Sequence, residues 1–294
     1  MIPSTFHGDD VIPAAPEKAL FHILPVPLEK TVSYMNGTAL GPEAIIEASC
    51  QLELFDGKSV PAEHGLYTHS PLDCSLSIKK VIKTLEKSIE SVLRYNAIPV
   101  TLGGEHSLTH GCVRGLKRFH DDFGVIQFDA HADLRDSYGG SKQSHASVMR
   151  RITEENIPVF QIGTRSYSLE EHNFRIAHNV PYYDAETIWQ KGAENINLPV
   201  DFPEKVYITF DVDCFDTPII PATGTPVPGG LDWYQVAALL QTIMQDRICL
   251  GYDIVELAPL PNHHGVSFAI AQLTYNIMGY ISRSVKNKSF FSLQ

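Results

Sequence analysis

An α/β fold of three layers, with helices covering both faces of a mainly parallel sheet, is what the sequence predicts, and three features predict it. Short apolar runs of strand length recur without polar alternation, which suits strands buried on both faces. Each run is separated from the next by a stretch long enough for a helix, and the resulting strand–helix–strand rhythm makes parallel neighbours. No internal repeat or low-complexity linker breaks the 294 residues, so the expectation is one domain over residues 1–294.

The alternation is expected from about residue 40 onward. "GPEAIIEASCQLEL" predicts a helix from Pro42, with proline in its first turn and apolar positions at helical spacing. "SIKKVIKTLEKSIESVLRYN" predicts a second, its Ile, Val and Leu residues three and four apart with Lys and Glu between them. Five strands are then expected in "IPVTLGG", "FGVIQFDA", "IPVFQIG", "KVYITFDVD" and "ICLGYDIVEL". The Asn36-Gly37-Thr38 tripeptide is read as a turn rather than a glycosylation acceptor.

The net charge of −11 disfavours a sequence-independent nucleic-acid binder, which needs a basic face to displace counterions. A small-molecule partner, cationic in character, fits the acidity better. The five cysteines are scattered, with no CxxC pair, which predicts free thiols in a reducing, cytoplasmic compartment. "MIPSTFHGDD" carries no signal-peptide pattern, and no apolar run reaches the roughly 18 residues of a membrane span, so no membrane partner is expected.

Ligands of parallel α/β sheets bind beyond the carboxyl ends of the strands, and four predicted strands end in unusual polar groups. "TLGG" runs into Glu105-His106-Ser107, and "VIQF" into Asp129, His131 and Asp133 at alternate positions. "YITF" runs into Asp211 and Asp213, and "GYDIV" into Glu256. In an extended segment Asp129, His131 and Asp133 would all point to one side. So many carboxylates held together repel one another unless a cation neutralises them.

The candidate ligands His106, Asp129, His131, Asp133, Asp211 and Asp213 exceed what one ion needs. Because carboxylates bridge, a pair of divalent ions about 3.5–4 Å apart is expected, sharing a water whose pKa they lower toward neutrality. An oxygen-rich set with two imidazoles and no thiolate favours manganese, without excluding zinc, cobalt or iron. The residues alone therefore predict a two-metal hydrolase and leave the scissile bond open.

"GGEHS", "FDAHADLRD", "SHAS", "FDVDCFDTPIIPATGTPVPGGL" and "DIVELAP", in that order, resemble the ureohydrolase family of arginases and agmatinases, as does the early "NGTALGPEAIIEAS". The resemblance covers about residue 25 to the C-terminus. It implies a three-layer α/β/α domain, a homotrimer or homohexamer, and two manganese ions that hydrolyse guanidino compounds to urea and an amine. By the same resemblance Asp129 and Asp211 would bridge the ions, His106 and Asp133 would complete one site, and His131 and Asp213 the other. His145, in "QSHAS", would be the proton shuttle; Glu256 would hold the guanidinium; Thr225, in "ATGTP", would line the pocket. Asp133, His145 and Glu256 are the catalytic candidates.

Two positions depart from the arginase pattern. Ser168, in "IGTRSYSLEEH", stands where an aspartate helps hold the α-ammonium of arginine, and Arg135 stands where an asparagine contacts the α-carboxylate. Both point away from arginase and toward agmatine, with N-substituted agmatine and 4-guanidinobutyrate as alternatives. Arg135 would repel a cationic tail unless Asp136 or another acid neutralised it, and Arg135 or Lys142 reaching the pocket would favour a guanidino acid. Two competing classes remain at this stage, a two-metal phosphoesterase and a non-catalytic relative that keeps the metals. Glu105 is expected to orient its turn, His263 and His264 to sit on an exposed loop, and Cys112 and Cys214 to pack in the core.

Overall fold

The computed structural model of the chain describes residues 5–292. Its strands are β1 (Phe21–Val26), β2 (Leu66–Thr68), β3 (Ile98–Gly103), β4 (Gly124–Phe128), β5 (Val159–Ile162), β6 (Tyr182–Tyr183), β7 (Lys205–Asp211) and β8 (Ile248–Val255). The α-helices are α1 (Gly41–Ser49), α2 (Ile78–Leu93), α3 (Thr109–Leu116), α4 (Val148–Glu154), α5 (Leu169–Ala177), α6 (Ala185–Lys191), α7 (Trp233–Asp246), α8 (His264–Arg283) and α9 (Val285–Ser292). All strand pairs are parallel, in the order β2-β1-β3-β8-β7-β4-β5-β6.

Two apolar layers close the sandwich. Ile45, Ile188, Leu239 and Ile270, from α1, α6, α7 and α8, cover one face. Val81, Val113, Met149 and Phe174, from α2, α3, α4 and α5, cover the other. Strand residues divide between them by alternation, Ile126 and Phe128 to the first layer and Val125 to the second. On α2, Val81, Leu85, Ile89 and Val92 are buried while its lysines face out, the stripe that the helical spacing predicts.

The five expected strands are present, and both expected helices form. The first helix begins at Gly41 with Pro42 in its opening turn and stops at Ser49, short of "QLEL". Three strands lie outside the sequence expectation. The longest, β1, sits between β2 and β3 despite Pro25. The Pro25 carbonyl accepts from the Leu72 amide at 2.9 Å, so its missing N–H faces the same flank, beyond the point where β2 pairing ends at Ile23. The other two are three and two residues long, too short for a periodic signal.

The strand order has one large consequence for function. The four strands with polar ends, β3, β8, β7 and β4, are contiguous at the centre of the sheet. Their carboxyl ends therefore open on one crevice.

Candidate metal centre

The double glycine before His106 is a packing requirement. A Cβ on Gly104 would lie 2.1 Å from the Leu28 carbonyl oxygen, and one on Gly103 2.5 Å from Leu108 Cδ2. This tight turn from β3 lets the 3-10 turn His106–Leu108 start immediately, with His106 fully buried. Glu105 orients it: its carboxylate accepts from the Lys30 and Thr31 amides and from the Thr31 and Ser107 hydroxyls. Thr31 Oγ1 in turn accepts the His145 amide at 3.0 Å, tying the His145 turn to the same loop.

The six predicted ligands converge. His106 Nδ1 lies 3.1 Å from Asp129 Oδ2, 3.0 Å from Asp133 Oδ2 and 3.5 Å from Asp211 Oδ2. His131 Nδ1 lies 3.0 Å from Asp213 Oδ2 and 3.6 Å from Asp129 Oδ1. Two groups able to hold a cation result, His106–Asp129–Asp133 and Asp129–His131–Asp213, sharing Asp129. Backbone amides aim the carboxylates: His131 N–H donates to Asp129, Ala130 N–H to Asp213, and Asp213 N–H to Asp211.

Convergence does not come from simple strand alternation. Beyond β4 the chain leaves extended geometry, and Asp133 has φ 52°, in the left-handed region. Glu256 is left-handed too, at φ 65°. Such backbone in non-glycine residues costs of order 1–3 kcal/mol and persists where the surroundings over-determine it. Here it turns two carboxylates into the crevice.

Electrostatics shows what the cluster lacks. Burial opposes charge on His131, yet Asp213 and Asp129 push its pKa up to about 12. His106 is likewise raised well above its usual value against burial, by Asp129 and Asp133. Burial and then Asp129 lift Asp133 to about 6, and burial, Asp213 and Asp129 lift Asp211 far above the carboxylate range. The acids thus demand positive charge.

Proton counting identifies its form. Thr209 Oγ1 lies 2.6 Å from Asp253 Oδ1 and gives that carboxylate its single hydrogen. Towards His106 Nε2, 2.8 Å away, Thr209 therefore accepts, so Nε2 carries a proton. In the neutral ring Nδ1 is then a bare lone pair, buried, without a hydrogen-bond partner among the described residues and facing three carboxylates. A divalent cation among these atoms satisfies them all, and the residues fit one on that observation.

Above the cluster a cavity of about 300 Å³ opens to solvent. His145 and Glu256 line it, with His145 Nδ1 3.6 Å from Glu256 Oε1. Burial lowers and Glu256, Asp133 and Glu105 raise the His145 pKa, the balance being upward. Glu256 Oε1 also accepts the His106 amide at 2.7 Å. Thr225, Ser168 and Arg135 line the cavity as well. Arg165 holds the Thr225 loop by donating to the carbonyls of Asp213 and Val227, both at 2.7 Å.

Three positions weighed for substrate choice have defined partners. Ser168 is the N-cap of α5, in a capping box with Glu171, so its hydroxyl is engaged within the helix start. The acid facing Arg135 is Glu171, 3.6 Å away, and not Asp136, which pairs with Lys142 and Arg151. Lys142 is directed to Asp136 and is not among the residues lining the cavity. Glu171, Tyr138 and Tyr167 were missed as pocket residues. The capping pair Ser168–Glu171 was readable as S-x-x-E; no local signal marked the tyrosines. His263 and His264 are exposed as expected, although His264 opens α8 instead of lying on a loop, and Cys112 and Cys214 are buried free thiols, as expected.

A parallel α/β sheet with a shared carboxylate–imidazole cradle at adjacent strand ends defines a protein built to hold divalent cations above its central strands. The sequence model of the Arginase family matches residues 19–279, and the chain belongs to that family. It is 35% identical over 300 residues to the N(1)-aminopropylagmatine ureohydrolase of Synechocystis sp., covering 97% of this chain and 96% of that one. It is 35% identical over 265 residues to the agmatinase of Pyrococcus horikoshii, covering 89% and 92% respectively. The agmatine ureohydrolase structure of Thermoplasma volcanium superposes with a TM-score of 0.86 at 29% identity, covering 95% of this chain and 94% of that one.

Proposed function

We propose that the chain hydrolyses an agmatine-type guanidine to urea and an amine, preferring N(1)-aminopropylagmatine over agmatine, with two manganese ions held by His106, Asp129, His131, Asp133, Asp211 and Asp213. The carrying observation is the Glu256 carboxylate beside His145 in the cavity above the cluster. Glu256 Oε1 is engaged by the His106 amide, which leaves Oε2 for a guanidinium N–H. Bound as a pair, divalent ions supply a nucleophile at neutral pH by lowering the pKa of water. As the central C–N bond breaks and a C=O bond forms, the leaving nitrogen must gain a proton. His145 supplies it: Nε2 has no hydrogen-bond partner among the described residues, and Glu256 raises the ring's pKa against the opposing effect of burial, favouring the protonated form. A phosphoesterase would place basic groups where Glu256 stands.

The preference for a cationic tail follows from the rim. Glu171 neutralises Arg135, so the tail meets no free positive charge, and a guanidino acid finds no unpaired cation. Tyr138 and Tyr167 line the mouth, their rings already approached by the guanidinium carbons of Arg135 at 5.2 Å and Arg175 at 4.8 Å, and the named activities of the two relatives support tails with one or two ammonium groups. The test compares kcat/KM for N(1)-aminopropylagmatine, agmatine, 4-guanidinobutyrate and arginine. The first should exceed agmatine roughly fivefold, the worth of one cation–π contact of about 1 kcal/mol. Equal or better turnover of 4-guanidinobutyrate or arginine would overturn the reading.

A further inference from the structure

A row of polar side chains crosses the sheet beneath the metal cradle, one from each apolar run. Thr101 on β3 is in register with Asp253 on β8, Asp253 with Thr209 on β7, Thr209 with Gln127 on β4, and Gln127 with Gln161 on β5. All five are fully buried. Its β4–β5 end continues into a directed chain of hydrogen bonds. Arg175 Nε donates to Gln161 Oε1 at 2.7 Å, Gln161 Nε2 to Gln127 Oε1 at 2.5 Å, and Gln127 Nε2 to Asp129 Oδ2 at 2.7 Å.

We infer that Arg175, Gln161 and Gln127 are positioning residues for Asp129, acting as a strap that runs from the cavity rim to the carboxylate shared by both cation groups. The direction of the chain is forced. Arginine has only donors and a carboxylate only acceptors, so the two amides between them have one consistent orientation. The second amide hydrogens are used too, Gln161 donating to the Ala132 carbonyl at 2.7 Å and Gln127 to that of His131 at 3.4 Å. A flipped Gln127 would set its carbonyl oxygen against Asp129. The rim end is anchored by the fully buried Arg175, which pairs with Asp184 at 2.9 Å and lies under Tyr167, its guanidinium carbon 4.8 Å from the ring centre. Tyr167 also donates to Asp184.

The inference rests on the cation-holding reading of the cluster, and the test separates the two. The chelator-treated chain is titrated with manganese(II) by calorimetry, alongside Gln127→Met, Gln161→Glu and the double variant, with melting temperatures of the metal-free forms. In Gln161→Glu the new carboxylate still accepts from Arg175 but cannot donate to Gln127, which flips. Manganese affinity should fall roughly 10–100-fold in each single variant, the range for outer-sphere partners of metal ligands. The double variant should bind no worse than the weaker single, because both cut one strap. Unchanged affinity in Gln161→Glu, or losses that multiply, would overturn the strap. If Gln161→Glu does not fold, Gln127→Met decides: unchanged affinity with an unchanged melting temperature would overturn it. Failure of the unaltered chain to bind manganese would instead contradict the cation reading.

Discussion

On the floor of the cavity Asp133 and Asp211 are at most 6% exposed, whereas on its rim Tyr138 and Tyr167 expose 39% and 37% of their surface. The floor stands at the ends of contiguous strands, where backbone amides of the following turns aim Asp129, Asp211 and Asp213. The rim comes from the loop after Asp133 and the start of α5, where side chains hold one another: Arg135 against Glu171 and over Tyr138, and Tyr167 on Asp184. The difference teaches a division of labour. A geometry fixed by backbone bonds serves a cation that tolerates little displacement, and a geometry fixed by side chains can vary with the substrate tail.

The comparison breaks most visibly at Asp129. Asp129→Asn should lose cation binding in both groups it joins, with urea release falling by more than the roughly 10–100-fold that outer-sphere changes cost. Elemental analysis beside a urea assay checks it, and full occupancy would remove Asp129 from the floor. His145→Ala should keep its metals and lose roughly 10²–10⁴ in turnover. A variant as fast as the unaltered chain between pH 7 and 9.5 would end the proton-donor role. Glu256→Gln should cost about 1.5–3 kcal/mol, a charged hydrogen bond, seen as a roughly 10- to 150-fold loss in kcat/KM with metals retained.

Rim changes should be gentler. Arg135→Ala removes the positive charge beside Glu171 at the rim, so KM for agmatine-type cations should drop by up to about fivefold, the worth of a partly exposed pair, with turnover unchanged. A rise in KM would mean that Arg135 contacts substrate. Outside both regions, burial holds His7, His69 and His120 neutral, each with pKa lowered to about 4. The unfolded chain binds these protons near pH 6.5 while the folded chain refuses them. Their contribution is therefore intact above pH 6.5 and lost as pH falls toward 4. Denaturant midpoints of the metal-free chain across pH 4–7 should decline accordingly, and less steeply in His7→Phe.

Legibility in the sequence follows the same division. His106, Asp129, His131, Asp133, Asp211, Asp213 and Glu256 stood out in combination, because so many acids and imidazoles at successive strand ends exceed the caps and turns that single ones usually form, and the parallel sheet brings those ends together. The rim tyrosines did not, since their placement depends on loop conformation, and the S-x-x-E spacing of Glu171 marks a helix start without marking a pocket. The polar row was visible and passed over: Thr101, Gln127, Gln161, Thr209 and Asp253 each interrupt an otherwise apolar run. In strands buried on both faces such an interruption needs a partner, and here the partners lead to the metal ligands. β1 escaped because Pro25 argues against a strand unless the neighbour's length is known.

The most direct test of the central proposal is to titrate the metal-free chain with manganese(II) while following urea released from N(1)-aminopropylagmatine. Activity that is absent without metal and levels off at two ions per chain is the expected result. Urea release that is independent of added metal, or none with two ions bound, would contradict it.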